Sequence, residues 1–118
     1  MGGIVFFRTE MLDEIVEFYQ SRIGMNIWLD QAGCTILSHH NLLLGFCQRE
    51  GAETEGMITF YYNSKAEVDK MYYQLKDIAD TEPKENQKYG IYQWFAEDPE
   101  GRALEFQAFL HEVPEVNC

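Results

Sequence analysis

Glu105 is the residue of this chain whose type and position most directly suggest chemistry. It follows the turn Asp98-Pro99-Glu100-Gly101, in which proline fixes φ and glycine can adopt the positive φ that closes the turn. Side chains alternate along the strand that starts there, so Glu105 and Gln107 share one face and Phe106 lies on the other. We therefore expect the Glu105 carboxylate opposite an apolar face, in a concave part of a sheet.

A carboxylate in that position suits three kinds of chemistry. Glu105 could be a metal ligand, a general base, or an acceptor for a cationic or hydroxylic ligand. The structural alternative is an ion pair with Arg8, the cation that strand alternation places on the same cleft face. Arg8 could instead clamp a carboxylate or phosphate with its planar fork, or reach solvent from the end of its strand.

Other side chains are expected to line the same cleft. Tyr61 is a stronger candidate than Thr59 for a hydroxyl contact, and aromatic rings could line a pocket for a flat ligand. Packing in the core or at a dimer interface is the stronger interpretation of Tyr92, Trp94 and Trp28, the aromatic residues of corresponding strands in the two halves. The predicted ligand contacts are Arg8, Phe6, Trp28, Met57, Thr59, Tyr61, Tyr92, Trp94 and Gln107.

The first half of the chain, to about residue 50, predicts a strand, a helix and three further strands. Thr9 is the predicted N-cap of the helix, which carries one apolar stripe and ends before Gly24. The predicted strands span residues 3–8, which we expect to be buried, then 26–29, 34–38 and 42–47. The polar segment 49–56, which contains two glycines, is the predicted linker.

The second half, from residue 57 to about 110, repeats this order. Ser64 and Glu67 form a capping box before the second helix. Strands are predicted at 57–62, 89–96 and 102–109, with a weak strand at 81–85. The apolar stripe of the first helix recurs at an offset of 56 residues (68 minus 12): Leu12, Ile15, Val16 and Tyr19 correspond to Val68, Met71, Tyr72 and Leu75.

Two halves of the same order indicate an internal duplication. A helix with one apolar stripe must cover one face of a sheet, which leaves the other face free. We therefore predict an α+β fold in a single domain. Two βαβββ modules form curved mixed sheets around a cleft, with the helices on the outer face.

The composition of the 118-residue chain excludes some partners. Its net charge of -11, from 20 acidic and 9 basic residues, opposes binding to nucleic acid or to an anionic membrane. The same charge keeps a protein soluble and mildly favours a cationic or neutral small ligand. No apolar run is long enough for a signal peptide or a membrane helix.

The three cysteines, Cys34, Cys47 and Cys118, are odd in number and far apart in the sequence. They lack Cys-x-x-Cys spacing, which speaks against a disulfide framework or a zinc ribbon. A reducing compartment fits this pattern best, so we expect a cytoplasmic protein.

Two motifs together carry a resemblance to a known family. Phe18-Tyr19 precedes Ile23-Gly24 at the end of the first helix, and Asp98-Pro99-Glu100-Gly101 precedes Leu104-Glu105-Phe106 in the terminal strand. From about Ile4 to Phe109, the chain thus resembles the vicinal oxygen chelate superfamily, which includes glyoxalase I, bleomycin and fosfomycin resistance proteins, and extradiol dioxygenases. The resemblance implies paired βαβββ modules and, at this length, a homodimer in which modules combine to form the clefts.

The resemblance also implies a metal site, from which this chain departs. Metal-dependent members bind a divalent ion through one residue of the first strand, one of the strand after the linker, and the terminal Glu. Ile4 and Met57 occupy the first two positions, and only Glu105 matches. Neither side chain suits Zn²⁺, Fe²⁺, Mn²⁺ or Mg²⁺. We therefore expect a small-molecule-binding protein with no cofactor and no catalytic metal.

Two alternatives stay open, and with them the question of whether the protein is an enzyme. The first is a metal-dependent lyase, isomerase or dioxygenase whose site is rebuilt from His39, His40, Glu105 or Gln107. Adjacent strand residues point in opposite directions, however, so His39-His40 is more typical of a hairpin tip. The second is a ligand-free interaction module whose aromatic face is buried by dimerisation.

Overall fold

The computed structural model describes residues 1–116 in two compact units, one ending at Thr54 and one starting at Glu55. The first unit contains β1 (Val5–Thr9), α1 (Leu12–Phe18), β2 (Asn26–Gln31), β3 (Cys34–His39) and β4 (Leu42–Gln48). The second contains β5 (Met57–Tyr62), α2 (Lys65–Gln74), β6 (Lys84–Asn86), β7 (Ile91–Glu97) and β8 (Ala103–Phe109). Residues 49–56 form neither helix nor strand. Among residues 1–116, neither α-helix has the length and apolar character needed to span a membrane.

The two sheets have the same topology. The first has the order β1-β4-β3-β2 and the second the order β5-β8-β7-β6. In each, the first strand of the unit pairs in parallel with the last, and the remaining pairs are antiparallel. This repetition confirms the predicted pair of βαβββ modules with mixed sheets.

The start of α1 differs from the predicted cap. The N-cap residue is Met11, which makes no side-chain capping bond. The backbone N–H of Leu12 instead donates to the Gln48 side chain at 2.9 Å, and the N–H of Met11 donates to Thr9 Oγ1 at 3.1 Å. A side chain from β4 thus satisfies an N–H group that Thr9 was predicted to cap, because the helix begins two residues later than expected.

The end of α1 widens into a π-helical turn over Tyr19–Ile23. Two successive N–H groups, those of Gly24 and Met25, donate to the carbonyl of Tyr19 at 3.1 and 2.9 Å. Gly24 has φ of 93°, a conformation that glycine adopts without strain. The Tyr19 ring stacks on Phe46 of β4 with centroids 5.1 Å apart, which holds the helix against its sheet.

The burial predicted for β1 is wrong. Val5 is 52% exposed and Phe6 is 49% exposed, because β1 is an edge strand with one neighbour in its sheet. Phe6 nevertheless has a defined position over Gly45 of β4, its partner in the register. A Cβ atom at residue 45 would clash with the Phe6 ring, so Phe6 keeps this position only over a glycine.

The edge strand β2 is exposed at every residue and is irregular at its centre. Ile27 pairs with Leu37 and Leu29 pairs with Ile36, so Trp28 is the extra residue of a β-bulge. All three consecutive side chains of Ile27, Trp28 and Leu29 are exposed by more than two fifths.

The predicted capping box of α2 is present in part, because the Glu67 carboxylate accepts from the Ser64 hydroxyl and not from the Ser64 backbone N–H. Ser64 is the N-cap, its hydroxyl oxygen accepts from the N–H of Glu67 at 3.3 Å, and the two side chains are also 3.3 Å apart. Beneath the helix, the rings of Trp94 and Phe106 stack with centroids 4.2 Å apart. The Trp94 indole N–H donates to the carbonyl of Val68 at 3.2 Å, which fixes α2 to β7.

The turn before β8 is held by one carboxylate. Asp98 Oδ1 accepts from the N–H groups of Glu100 at 2.9 Å and Arg102 at 3.0 Å. The N–H of Gly101 donates to the Asp98 carbonyl at 3.0 Å, and Gly101 has the positive φ, 91°, that the sequence predicted. Asp98 therefore determines where β8 begins.

Arg102 completes this turn from a buried position, since it is only 1% exposed. Its Nη1 atom lies 2.8 Å from Glu100 Oε1 and 3.2 Å from Asp98 Oδ2. Removing one partner of a buried ion pair leaves an uncompensated charge, which is strongly destabilising.

The cysteine prediction is wrong, because Cys34 and Cys47 form a disulfide. They are 13 residues apart in the sequence, but the antiparallel register of β3 and β4 places them directly opposite each other with Cα atoms 4.1 Å apart. Spacing along the chain therefore concealed their proximity. Cys118 lies outside the described residues.

We predict that Asp98→Ala lowers the free energy of unfolding by about 3–5 kcal/mol, because Arg102 loses a partner and two N–H groups lose their acceptor. Urea denaturation monitored by circular dichroism measures this loss. The control is Asp30→Ala, in the corresponding Asp-x-x-Gly turn of the first unit. Asp30 is exposed and accepts one bond, from Thr35 Oγ1 at 3.0 Å, so its loss should cost below about 1 kcal/mol. Equal losses in the two variants would contradict the role assigned to Asp98.

We predict that alkylation in denaturant modifies one of the three cysteines before reduction and all three afterwards, with mass spectrometry as the readout. Closing a loop of this length should stabilise the fold by roughly 3 kcal/mol, so the double variant Cys34→Ser, Cys47→Ser should melt at a lower temperature. Three reactive thiols in the unreduced protein would show that the disulfide is absent in solution.

Candidate functional site

Alternation along β5, β7 and β8 separates the second sheet into two faces. Buried apolar side chains, including Phe60, Trp94 and Phe106, pack towards α2. The opposite face, which we call the helix-free face, carries Glu105 and Gln107 as predicted. The register places these residues in two rows: Thr59, Glu105 and Phe95, then Tyr61, Gln107 and Gln93.

Glu105 is the most buried carboxylate of the helix-free face, with 8% of its surface exposed. Its Oε1 atom accepts two hydrogen bonds, from Thr59 Oγ1 at 2.8 Å and from Gln107 Nε2 at 3.1 Å. Its Oε2 atom receives no hydrogen bond from any residue in the range 1–116. One carboxylate oxygen is thus held by the protein and the other is available.

Gln107 provides a second acceptor, one that has no donor among the described residues. Its amide nitrogen is used by Glu105, and its Oε1 atom is buried with no hydrogen-bond partner. Only the nitrogen of the amide can donate to a carboxylate, so this contact fixes the orientation of the whole group. Buried polar atoms are nearly always paired, which makes this oxygen exceptional.

Apolar and aromatic side chains surround the two acceptors. Met57 is 54% exposed and Tyr61 is 45% exposed. The Tyr61 ring meets Phe109 edge to face, with centroids 5.8 Å apart. The helix-free face therefore combines a small polar centre with a partly exposed apolar margin, the composition typical of small-molecule sites.

Tyr92 and Trp94 do not lie on the helix-free face, so their predicted ligand contacts are wrong. Trp94 is fully buried beneath α2, and the Tyr92 hydroxyl donates to Asp69 of α2 at 2.6 Å. The stronger interpretation, packing in the core, is confirmed for Trp94. Gln93 and Phe95 occupy the face instead. Aromatic residues occur on both faces of β7. The polar side chain of Gln93 was therefore the better indication of which face lies outside the core.

The predicted site residues of the first unit are exposed. Phe6 covers Gly45, and Trp28 is the bulge residue of β2. The Arg8 backbone N–H donates to Glu53 Oε1 at 2.8 Å, and its Nε atom lies 3.7 Å from the same oxygen. Glu53 belongs to the predicted linker and was not foreseen as a partner. The alternative pair of Arg8 with Glu105 stays a prediction.

His39 and His40 lie at the tip between β3 and β4, as predicted. Their rings meet edge to face with centroids 4.7 Å apart, and His40 has a positive φ of 51°. Burial, together with the neighbouring His40, lowers the pKa of His39. This arrangement is typical of a turn, and within residues 1–116 the two rings belong to no group of side chains that could hold a metal ion.

Solved structures share this architecture across nearly their whole length. Lactoylglutathione lyase from Agrobacterium tumefaciens has 21% sequence identity over 89% of this chain and 90% of that chain, with a TM-score of 0.75. A glyoxalase/bleomycin resistance protein/dioxygenase from Nocardioides has 17% identity, coverage of 100% and 89%, and a TM-score of 0.76. A family enzyme of the same description from Burkholderia phytofirmans PsJN has 19% identity, coverage of 91% and 97%, and a TM-score of 0.77.

The chain has the glyoxalase/bleomycin-resistance fold. The resemblance read from the sequence is thereby confirmed at the level of fold. No protein-family model and no curated protein matches the sequence.

The metal site implied by the glyoxalase fold does not fit the side chains present. Ile4, which precedes β1, has no donor atom, and Met57 offers only a thioether on the helix-free face. Within residues 1–116, no three His, Cys, Asp or Glu side chains are grouped so that they could hold a metal ion. We therefore assign no reaction step to a metal.

The hydrogen bond from Tyr92 to Asp69 predicts a measurable pH dependence. This bond, with burial and nearby charges, raises the Tyr92 pKa from 10.0 to about 12. The folded chain thus holds a proton that the unfolded chain releases at lower pH. The stabilisation is complete below about pH 10 and is lost as the pH rises through about 12.

Asp69→Ala should therefore lower the Tyr92 pKa towards its ordinary value, measured by ultraviolet titration of tyrosinate against a Tyr92→Phe reference. It should also flatten the fall in unfolding free energy between pH 10 and 12. Superimposable titrations of wild type and variant would contradict this assignment.

Proposed function

We propose that this chain is a small-molecule-binding protein of the glyoxalase/bleomycin-resistance type, which works as a homodimer without a catalytic metal. Its ligand contacts the helix-free face of the second sheet around Glu105. The proposal concerns binding or sequestration rather than turnover. A cytoplasmic location stays a prediction, and the Cys34–Cys47 disulfide now weighs against the cysteine argument for it.

The observation that carries the proposal is the set of neighbours around Glu105. Thr59 and Gln107 are neutral hydrogen-bond donors to its carboxylate, and Phe95 lies opposite it in the register. None of these three is a customary ligand of a catalytic metal. A carboxylate held by neutral side chains, with one oxygen available, suits the recognition of a ligand by hydrogen bonds.

The exposed apolar side chains support the same conclusion. Met57 and Tyr61 expose about half of their surface on this face, next to the polar centre. A ligand that covers them gains the free energy of apolar burial, about 25 cal/mol per Å². Specificity would then come from Glu105 and Gln107, and affinity mainly from the apolar margin.

An enzymatic function is the second candidate, because the names of similar structures include a lactoylglutathione lyase and a dioxygenase family enzyme. Glu105 favours it, since this residue matches the terminal Glu of metal-dependent members and has one oxygen available. The sequence identities to those structures are 21% and 19%, so the similarity concerns the fold and not the activity. Binding without turnover does not require the metal ligands that residues 1–116 lack, so it is the first candidate.

The proposal predicts that purified protein, after incubation with Zn²⁺, Fe²⁺, Mn²⁺ or Mg²⁺ and desalting, retains far less than one metal ion per chain by elemental analysis. In a screen of aromatic fragments, binding should shift the Met57 signal of protein labelled with ¹³C-methyl methionine. The signal of Met25, which is 3% exposed in the first unit, provides the internal reference. A stoichiometric metal, or fragments that never shift Met57, would refute the proposal.

Matched variants locate the binding surface. Tyr61→Ala should weaken fragment binding about tenfold, because a lost aromatic contact is worth about 1.4 kcal/mol. Tyr73→Ala is the control, since Tyr73 is 72% exposed on α2 and lies outside the helix-free face. Equal weakening in both variants would place the binding elsewhere.

A further inference from the structure

We propose that the ligand of the helix-free face is an organic cation whose positive group bears at least two N–H donors. An ammonium, amidinium or guanidinium group on an aromatic or apolar body has this chemistry. The inference rests on the proposed function, because it specifies the class of ligand that binds at that same face. It follows from the charge of Glu105, the number of available acceptors, and the surrounding rings.

The charge of Glu105 has no partner within its own unit. The residue is 92% buried (100 minus 8), and no ion pair joins it to another residue of its own unit between Glu55 and Val116. Its two cross-strand neighbours, Thr59 and Phe95, are uncharged. Burying a carboxylate is costly unless a cation or several hydrogen bonds compensate it. A cationic ligand supplies this compensation on binding.

The register also shows how far Lys84, a cation of the same sheet, lies from the strand that carries Glu105. Lys84 pairs with Gln93, and Gln93 pairs with Gln107. Lys84 is therefore on the edge strand β6, two strand spacings of about 4.8 Å each from β8. An exposed cation at that distance is largely screened by salt and does not neutralise Glu105.

The hydrogen-bond count requires donors from the ligand. Both internal donors, Thr59 and Gln107, point at the same oxygen of Glu105. Glu105 Oε2 and Gln107 Oε1 are thus two acceptors without donors, and they belong to side chains two residues apart on one face. One hydroxyl of a ligand would satisfy only one of them. An amidinium or ammonium group can satisfy both and neutralise the carboxylate.

The adjacent rings suit the body of such a ligand. Tyr61 lies beside Gln107, and Phe109 follows two residues later on the same face, about 7 Å further along β8. Their π faces attract a cation and pack against a flat apolar group. The net charge of -11 adds a long-range attraction for cations and repels anions.

Three ligands of the same shape test the inference: benzamidine, which is cationic, benzamide, which is neutral, and benzoate, which is anionic. Isothermal titration calorimetry and the Met57 methyl signal measure binding to the intact protein. We expect benzamidine to bind at least tenfold more tightly than benzamide, because hydrogen bonds to charged groups are about 1.5–3 kcal/mol. Benzoate should not bind measurably.

Variants separate a local contact from the general field of an acidic protein. Glu105→Gln should remove most of the preference for benzamidine over benzamide, since the shape of the side chain is kept and its charge is lost. Glu82→Gln removes the same charge from the exposed segment between α2 and β6 and should change the affinity less than threefold. Gln107→Leu should weaken benzamidine more than benzamide. Circular dichroism of each variant verifies that it is folded.

The possible outcomes distinguish this inference from the proposed function. Tighter binding of benzamide or benzoate, with a shift of Met57, would overturn the cation inference and leave the binding function in place. Equal effects of Glu105→Gln and Glu82→Gln would also overturn it, because the preference would then arise from net charge alone. If no aromatic compound of any charge shifted Met57, both proposals would fail.

Discussion

The position of the candidate site depends on the carboxylate of Asp98. By accepting from the N–H groups of Glu100 and Arg102 and pairing with the buried Arg102 side chain, it fixes the residue at which β8 begins. Because side chains alternate along a strand, a shift of one residue would move Glu105 into the core and Phe106 out of it. A structural ion pair at one end of β8 thus determines what the centre of the strand presents.

The two units share a topology but have diverged in the devices that stabilise them. Asp98 is buried and joined to Arg102, whereas Asp30 in the corresponding turn is exposed and bonded to one threonine. The first unit instead has a disulfide between β3 and β4. Duplicated modules that keep one sheet order can therefore differ in the contacts that stabilise them.

The sequence predicted the order of helices and strands along the chain and the face on which Glu105 lies, because alternation and the proline–glycine turn are local signals. It assigned the two faces of β7 the wrong way round. Both faces of that strand carry aromatic residues, and only the packing against α2 decides which face is buried. The disulfide was also missed, because it depends on the pairing of Cys34 with Cys47 across two strands. The available oxygen of Gln107 depends on side-chain geometry that no spacing rule records.

The bulge at Trp28 has a consequence for how copies of this protein behave at high concentration. An edge strand with three exposed apolar side chains in succession favours intermolecular strand pairing and aggregation. The extra residue interrupts the regular alternation of N–H and C=O groups along β2 and increases the local twist. A neighbouring chain cannot add a continuous ladder to such an edge, so the irregularity protects the protein from polymerising into fibrils.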